Sequence, residues 1–402
     1  MTIAIHHVRL IDGTGVVRAP MTLLVRGTKI VAVGPSNDIR IPKGATRLNG
    51  RGLTVIPGLI DCHIHLCLGG EADVVSALES EQPSYTLLKS ARHAQATIEA
   101  GFTTVRDVGS RDHSIFALKQ AIECGLLPGP RIVGAGLAIC MIGGHARFIG
   151  REVEGADQVR TVVAEQVAAG AGVIKVIASG GVLTPGTSPD DAQMTAEELA
   201  AAVDAARQAG KPVAAHAHGA SGMKRAIQAG ASSIEHATLL DEESGTLMKQ
   251  HGVYMVPTLS ALATTAACRP GCGIPESALG KAKAMAKRHK ASFKQAYEGG
   301  IFIAMGTDAG TPFNYHGENA QELERMVALG MSPMDAIISS TAKAAKLIGV
   351  HQSVGTLAKG MEADLVILNK NPLRRIEVLR DRDTIVGVMK AGKFVSGPLS
   401  RE

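Results

Sequence analysis

Gly58-Leu-Ile-Asp-Cys-His-Ile-His-Leu66 decides how the rest of the chain is read. It is a short apolar run that ends in polar side chains. His63 and His65 lie two residues apart, on one side of an extended backbone. Seven further runs have the same build: FTTVRDVG (102–109), RIVGAGLAIC (131–140), VIKVIAS (173–179), PVAAHAHG (212–219), SIEHAT (233–238), YMVPTLSA (254–261) and IFIAMGTDAG (301–310). Between most of them lie Ala-, Glu- and Lys-rich stretches with helical spacing. Residues 195–210 are the clearest, with Thr195 as N-cap, Glu198 three positions on and Gly210 as the stop. Buried strands alternating with helices eight times predict a parallel sheet closed into a (β/α)8 TIM barrel. A doubly wound open sheet is the alternative, but it would carry a Gly-rich phosphate turn after an early strand, and none is evident.

Outward from the barrel, both chain ends change texture. TIAIHHVRLI (2–11), TLLVRGTKIVAVG (22–34) and TRLNGRGLTVIPG (46–58) are β-branched and punctuated by turn residues. Asp364–Leu368 and TIVGVMKAGKFVSG (384–397) return to that pattern, with Ala391-Gly392 placed as a hairpin turn. The economical arrangement pairs the ends into one β-sandwich domain, 1–60 plus 354–402, around a barrel of residues 61–353.

Composition agrees with two units rather than one. The chain has 402 residues, 45% hydrophobic and 20% charged, which excludes disorder as its main state. A net charge of +5 over this length gives no reason to expect nucleic acid as a partner. No apolar stretch is long enough to span a membrane, and the start lacks the build of a signal peptide. The six cysteines are sparse, so no disulfide scaffold is expected and a soluble, cytoplasmic protein is.

The function is read from where polar residues interrupt the strands. His63, His65, Lys175, His216, His218, His236 and Asp308 all fall toward strand C-terminal ends, and a barrel brings those ends to one face. His and Asp are ligand types that hold a catalytic cation and leave a position open. Singly, each has a bland reading: a core histidine, or an aspartate capping a turn. Lys175 is unusual, because an amine within Val-Ile-Lys-Val-Ile bears a desolvation cost and becomes reactive when neutral. Snorkelling to the barrel mouth is its ordinary alternative.

Taken together, these residues resemble the metal-dependent amidohydrolase superfamily. VIPGLIDCHIHL (55–66), TAKAAKLIGV (341–350) and VGTLAKGMEADLVIL (354–368) strengthen the likeness, which covers essentially the whole chain. Three further stretches, 175–199, 216–238 and 303–313, resemble the imidazolonepropionase-like branch that contains prolidases and N-acyl amino acid hydrolases. The resemblance implies two divalent metal ions, Zn by preference, held by His63, His65, Lys175, His216, His236 and Asp308. It makes Lys175 a CO2-derived carbamate and Asp308 the catalytic proton shuttle for a water shared by the metals. It also assigns the substrate carboxylate to His145, in GGHARFIG (143–150), and to His218. The spacing of the HAH pair does not by itself say which histidine is the ligand.

The activity so implied is hydrolysis of dipeptides or N-acyl amino acids with a free carboxylate, Xaa-Pro dipeptides first. Alternatives are a mononuclear cyclic-amide hydrolase, an Xaa-Arg/Lys peptidase, an ochratoxin-type amidase and, from a different class, a silent metal-binding scaffold. A small molecule is the expected partner, and relatives suggest a homo-oligomer. Lesser expectations concern Arg106, a substrate candidate or more simply a rim ion pair with Asp107 or Asp112, and loop 180–193 as a substrate wall. Lys283, Lys287, Lys290 and Lys294 form a solvated helical stripe, and Cys268 with Cys272 is a weak thiolate site.

Overall fold

The computed structural model describes residues 2–401, whose strands form three sheets, of eight, six and three strands. Strands β1 (Thr2–Ile11), β2 (Val17–Arg26), β3 (Lys29–Pro35), β4 (Thr46–Asn49) and β5 (Thr54–Pro57) come from the N-terminal part. Strand β1 carries a register shift between Ile5 and Val8, with His7 at φ 63°. That bulge bends β1, so its first half pairs with β4 and its second with β5.

The barrel strands are β6 (Leu59–Ile64), β7 (Phe102–Asp107), β8 (Arg131–Gly134), β9 (Ala138–Met141), β10 (Gly150–Val153), β11 (Ile174–Ile177), β12 (Val213–Ala217), β13 (Ser233–His236) and β14 (Tyr254–Val256). The C-terminal part adds β15 (Leu365–Leu368), β16 (Ile385–Lys390) and β17 (Lys393–Ser396). Strand β15 pairs antiparallel with β5, so both chain ends share one eight-stranded sheet. Ile5, Leu23, Ile30, Val55, Leu365 and Met389 fill its core. Ala391 and Gly392, at φ 46° and 75°, make the β16–β17 turn with both residues left-handed, as the hairpin reading requires. The fold is a TIM barrel with a β-sandwich domain built from both ends.

Two expected barrel strands differ from their sequence reading. Residues 131–140 do not form one strand: residues 135–137 break the run, β8 pairs with β7, and β9 pairs with β11 and β10. Residues 301–309 close the barrel with only isolated bridges, at Ile303 to Met255 and at Ala309 to Ile64. Closure there rests on Met255 N to Phe302 O at 2.8 Å and Cys62 N to Met305 O at 2.9 Å. Gly306 permits it, because a Cβ at that position would lie 2.4 Å from Val256 Cγ1 and 2.9 Å from His63 Cβ. The helix Ala196–Gln208 forms as expected, with both arms of the Thr195/Glu198 capping box made.

Cys268 and Cys272 are joined as a disulfide rather than offered as thiolate ligands. The four lysines of the stripe are exposed on the helix Glu276–Glu298. Among the described residues, no helix is long and apolar enough to cross a membrane.

Candidate active site

Parallel strands point their C-terminal ends to one rim, and the sequence-selected residues meet there. His63, His65, His145, Lys175, His216, His218, His236 and Asp308 all line one cleft. Each is buried. His63 closes β6, Lys175 lies within β11, His216 within β12 and His236 ends β13; Asp308 follows the closing segment. Two of these residues sit in backbone that ordinary side chains rarely adopt, His236 at φ 72° and Asp308 at φ 59°. Strain of that kind collects where the surrounding structure must aim a functional group.

The donors fall into two groups. In the first, His63 Nε2 and His65 Nε2 approach Asp308 Oδ1 at 3.4 and 3.3 Å. Their Nδ1 atoms are held from behind, by Glu235 Oε2 at 2.7 Å and the Gly109 carbonyl at 2.8 Å. In the second, His216 Nδ1 faces His236 Nε2 at 2.9 Å, and His218 stands beside both. Thr258 Oγ1 holds His236 Nδ1 at 2.7 Å, and Thr238 Oγ1 holds His218 Nδ1 at 2.7 Å. Each group presents three donor atoms within 4.8 Å of one another.

Electrostatics suit cation binding. Burial, reinforced by neighbouring imidazoles and Lys175, holds His216, His218 and His236 well below their ordinary values, so they are neutral donors. Burial also lowers His63 to about 4 and His145 to about 3. Burial pushes the Asp308 carboxyl upward, but His63, His65 and Lys175 outweigh it and keep it ionised. Lys175 is lowered to about 8 by burial, and its Nζ is fully buried without a hydrogen-bond partner. An orphaned amine sharing a cleft with two donor groups is a costly arrangement that bound cations and an added carboxylate on the amine would satisfy. The residues present therefore fit a divalent metal site.

Residues 54–395 match the profile of the amidohydrolase family. The chain belongs to that family. An ochratoxinase of Aspergillus niger is 32% identical over 422 aligned residues, covering 97% of this chain and 85% of that enzyme. The crystal structure of an Xaa-Pro dipeptidase with methionine bound in its active site is 36% identical, with a TM-score of 0.92 and coverage of 99% and 100%. A prolidase complexed with N-methylphosphonate-L-proline is 29% identical, with a TM-score of 0.91 and coverage of 98% and 99%. The chain is thus an amidohydrolase whose relatives include hydrolases of peptide and amide bonds.

Other residues of this amidohydrolase depart from their sequence reading or escaped it. Arg106 is neither at the rim nor paired with Asp107 or Asp112. It is buried inside the barrel and bonds Glu235 Oε1 at 2.8 Å. Asp107 instead accepts from Leu66 N, and Asp112 caps Ser114 N. Val182 and Leu183 of loop 180–193 do line the cleft, and Thr184 Oγ1 bonds His145 Nδ1 at 2.9 Å. Lys281 ties that loop down through the Gly181 and Thr184 carbonyls. Glu235, Thr184, Thr238 and Thr258 were not singled out. A usable signal existed for two of them: Thr238 and Thr258 each lie two residues past a strand end, beside the histidine of the preceding strand.

Proposed function

We propose that the chain is a binuclear metal-dependent hydrolase of dipeptides or N-acyl amino acids with a free carboxylate, acting on Xaa-Pro dipeptides foremost. One observation carries the reading: a buried Lys175 amine without a partner shares a single cleft with two donor groups.

On this reading His63, His65 and Asp308 hold one cation, and His216 and His236 hold the other. His216 Nδ1 faces His236 Nε2 at 2.9 Å while its own Nε2 is held by the Gly180 carbonyl, an orientation that supports His216 as a ligand. Neutral Lys175 would add through Nζ to CO2, forming an N–C bond and releasing a proton to solvent, and the carbamate would supply the site with a further anionic ligand. When bound, the metals supply Lewis acidity and lower the pKa of water.

The chain's own residues do the rest. Ionised Asp308 takes a proton from the attacking water and returns it to the departing amide nitrogen. This return matters for a proline amide, whose secondary amine leaves poorly without it. Thr184 Oγ1 bonds His145 Nδ1 and accepts from Ala146 N, which fixes the ring; with the proton of the neutral imidazole on Nε2, His145 donates toward a substrate carboxylate. His218, held by Thr238, offers a second donor.

The wall also speaks to specificity. Leu68, Phe148, Val182, Leu183 and Leu262 line it, and among the described residues Asp308 is its one carboxylate, already facing two imidazoles. A substrate with C-terminal Arg or Lys would find no free counter-charge, whereas apolar side chains bury well. A hydrolysis screen with Zn2+ supplied tests this. Xaa-Pro and N-acyl substrates with apolar side chains are expected to turn over well ahead of Xaa-Arg and Xaa-Lys. No turnover by a chain fully loaded with metal would overturn the proposal.

A further inference from the structure

Below the cleft, inside the barrel, Arg106 and Glu235 form an ion pair sealed from solvent, with side chains 1% and 0% exposed. Nothing in the chemistry proposed above uses either residue. Glu235 spends both oxygens: Oε2 on His63 Nδ1 at 2.7 Å, and Oε1 on Arg106 Nη2 at 2.8 Å and on the Ser233 hydroxyl. Arg106 spends the rest of its fork on Ser233 Oγ at 3.1 Å and on the Cys62 carbonyl at 2.5 Å. His63 is therefore gripped twice, through its ring by Glu235 and through the preceding peptide by Arg106.

We infer that Arg106 and Glu235 are positioning residues for His63. The pair fixes the ring so that Nδ1 carries the proton and the Nε2 lone pair faces Asp308 and His65. Arg106 has a second part in this. By occupying Oε1 it keeps Glu235 from swinging into an ion pair with Lys175, and the amine stays free. The inference rests on the metal-site reading above and deepens it.

Stability alone is a poor account of the pair. A buried ion pair is commonly matched or bettered by apolar residues of similar volume, whereas losing one partner is strongly destabilising. A ligand histidine whose other ring nitrogen donates to a carboxylate is, by contrast, the usual means of fixing tautomer and raising ligand basicity.

The two roles are separable by experiment. Arg106→Met with Glu235→Met removes both charges together, so the barrel is expected to fold with an undiminished thermal midpoint. Chelator competition with Zn2+ should then show one of two bound ions weakened about 10–100-fold, the other unchanged. Arg106→Met with Glu235→Gln keeps an acceptor for Nδ1–H and should recover most of that loss; it also serves if the first double variant fails to fold. In the metal-free chain, ring-nitrogen NMR should place the His63 proton on Nδ1 in the wild type and as a mixture of tautomers in the Met/Met variant. Wild-type chain that binds two ions alongside a folded Met/Met variant that binds both equally tightly would overturn the positioning role while leaving the active-site reading intact. A wild-type chain that takes up no metal would overturn both.

Discussion

The two donor groups of the cleft are held by different means. His63 and His65 meet a carboxylate, Asp308, and a second carboxylate, Glu235, backs His63. His216 and His236 meet each other, and a backbone carbonyl and a hydroxyl back them: Gly180 O at 3.2 Å and Thr258 Oγ1 at 2.7 Å. The first group brings anionic charge to a cation; the second is neutral throughout. On the proposed function, charge balance at the second group would depend on Lys175, which would contribute an anion only after gaining CO2. That asymmetry is what makes the buried amine intelligible.

The comparison breaks most visibly at Asp308. Asp308→Asn keeps a ligand oxygen but loses the proton acceptor, so kcat/KM should fall by about 10³-fold with bound metal retained. Steady-state kinetics with metal analysis of the same sample checks it; near-normal rates would remove Asp308 from proton transfer. Next is Lys175→Met, which should lower bound metal from two ions to one per chain, the neutral group emptying first. The metal-free variant should also melt higher than the wild type, because a buried amine without a partner has been replaced by an apolar side chain. A smaller effect is expected from Thr258→Val. It removes the hydroxyl that orients His236 and should weaken one ion about 10-fold in chelator competition, sparing the other.

The smallest effect concerns pH. His289 Nε2–H donates to the His236 carbonyl at 3.1 Å, at the back of the second group, and burial lowers this imidazole from 6.5 to about 4. The unfolded chain thus takes up this proton first as the solution is acidified. Stability present above pH 6.5 is lost progressively down to about pH 4. His289→Asn should flatten that limb by about one proton in a plot of unfolding free energy against pH. An unchanged slope would mean the imidazole is already charged in the folded chain.

How much of this could be read beforehand follows from local and non-local causes. The barrel strands and the composite β domain were legible because period, turn residues and polar interruptions are written locally, as in residues 58–66 and 212–219. So was the rim cluster, since parallel strands must gather their C-terminal ends. Glu235 and Arg106 were not. Each looks like an ordinary charge within a short run, and only the closed barrel brings them together across 129 positions. The break at 135–137 and the irregular eighth strand also escaped, the latter because it answers to closure constraints such as the close approach at Gly306. The Cys268–Cys272 link escaped for a simpler reason: two cysteines four residues apart do not announce whether they pair.

Metal and carbamate content of the chain purified in CO2-equilibrated buffer with Zn2+ tests the account most directly. Native mass spectrometry combined with metal analysis should find two ions per chain and one added CO2 at Lys175, both lost together on chelation with all hydrolytic activity. A chain that holds a single ion beside an unmodified lysine, or that keeps working after complete chelation, would contradict it.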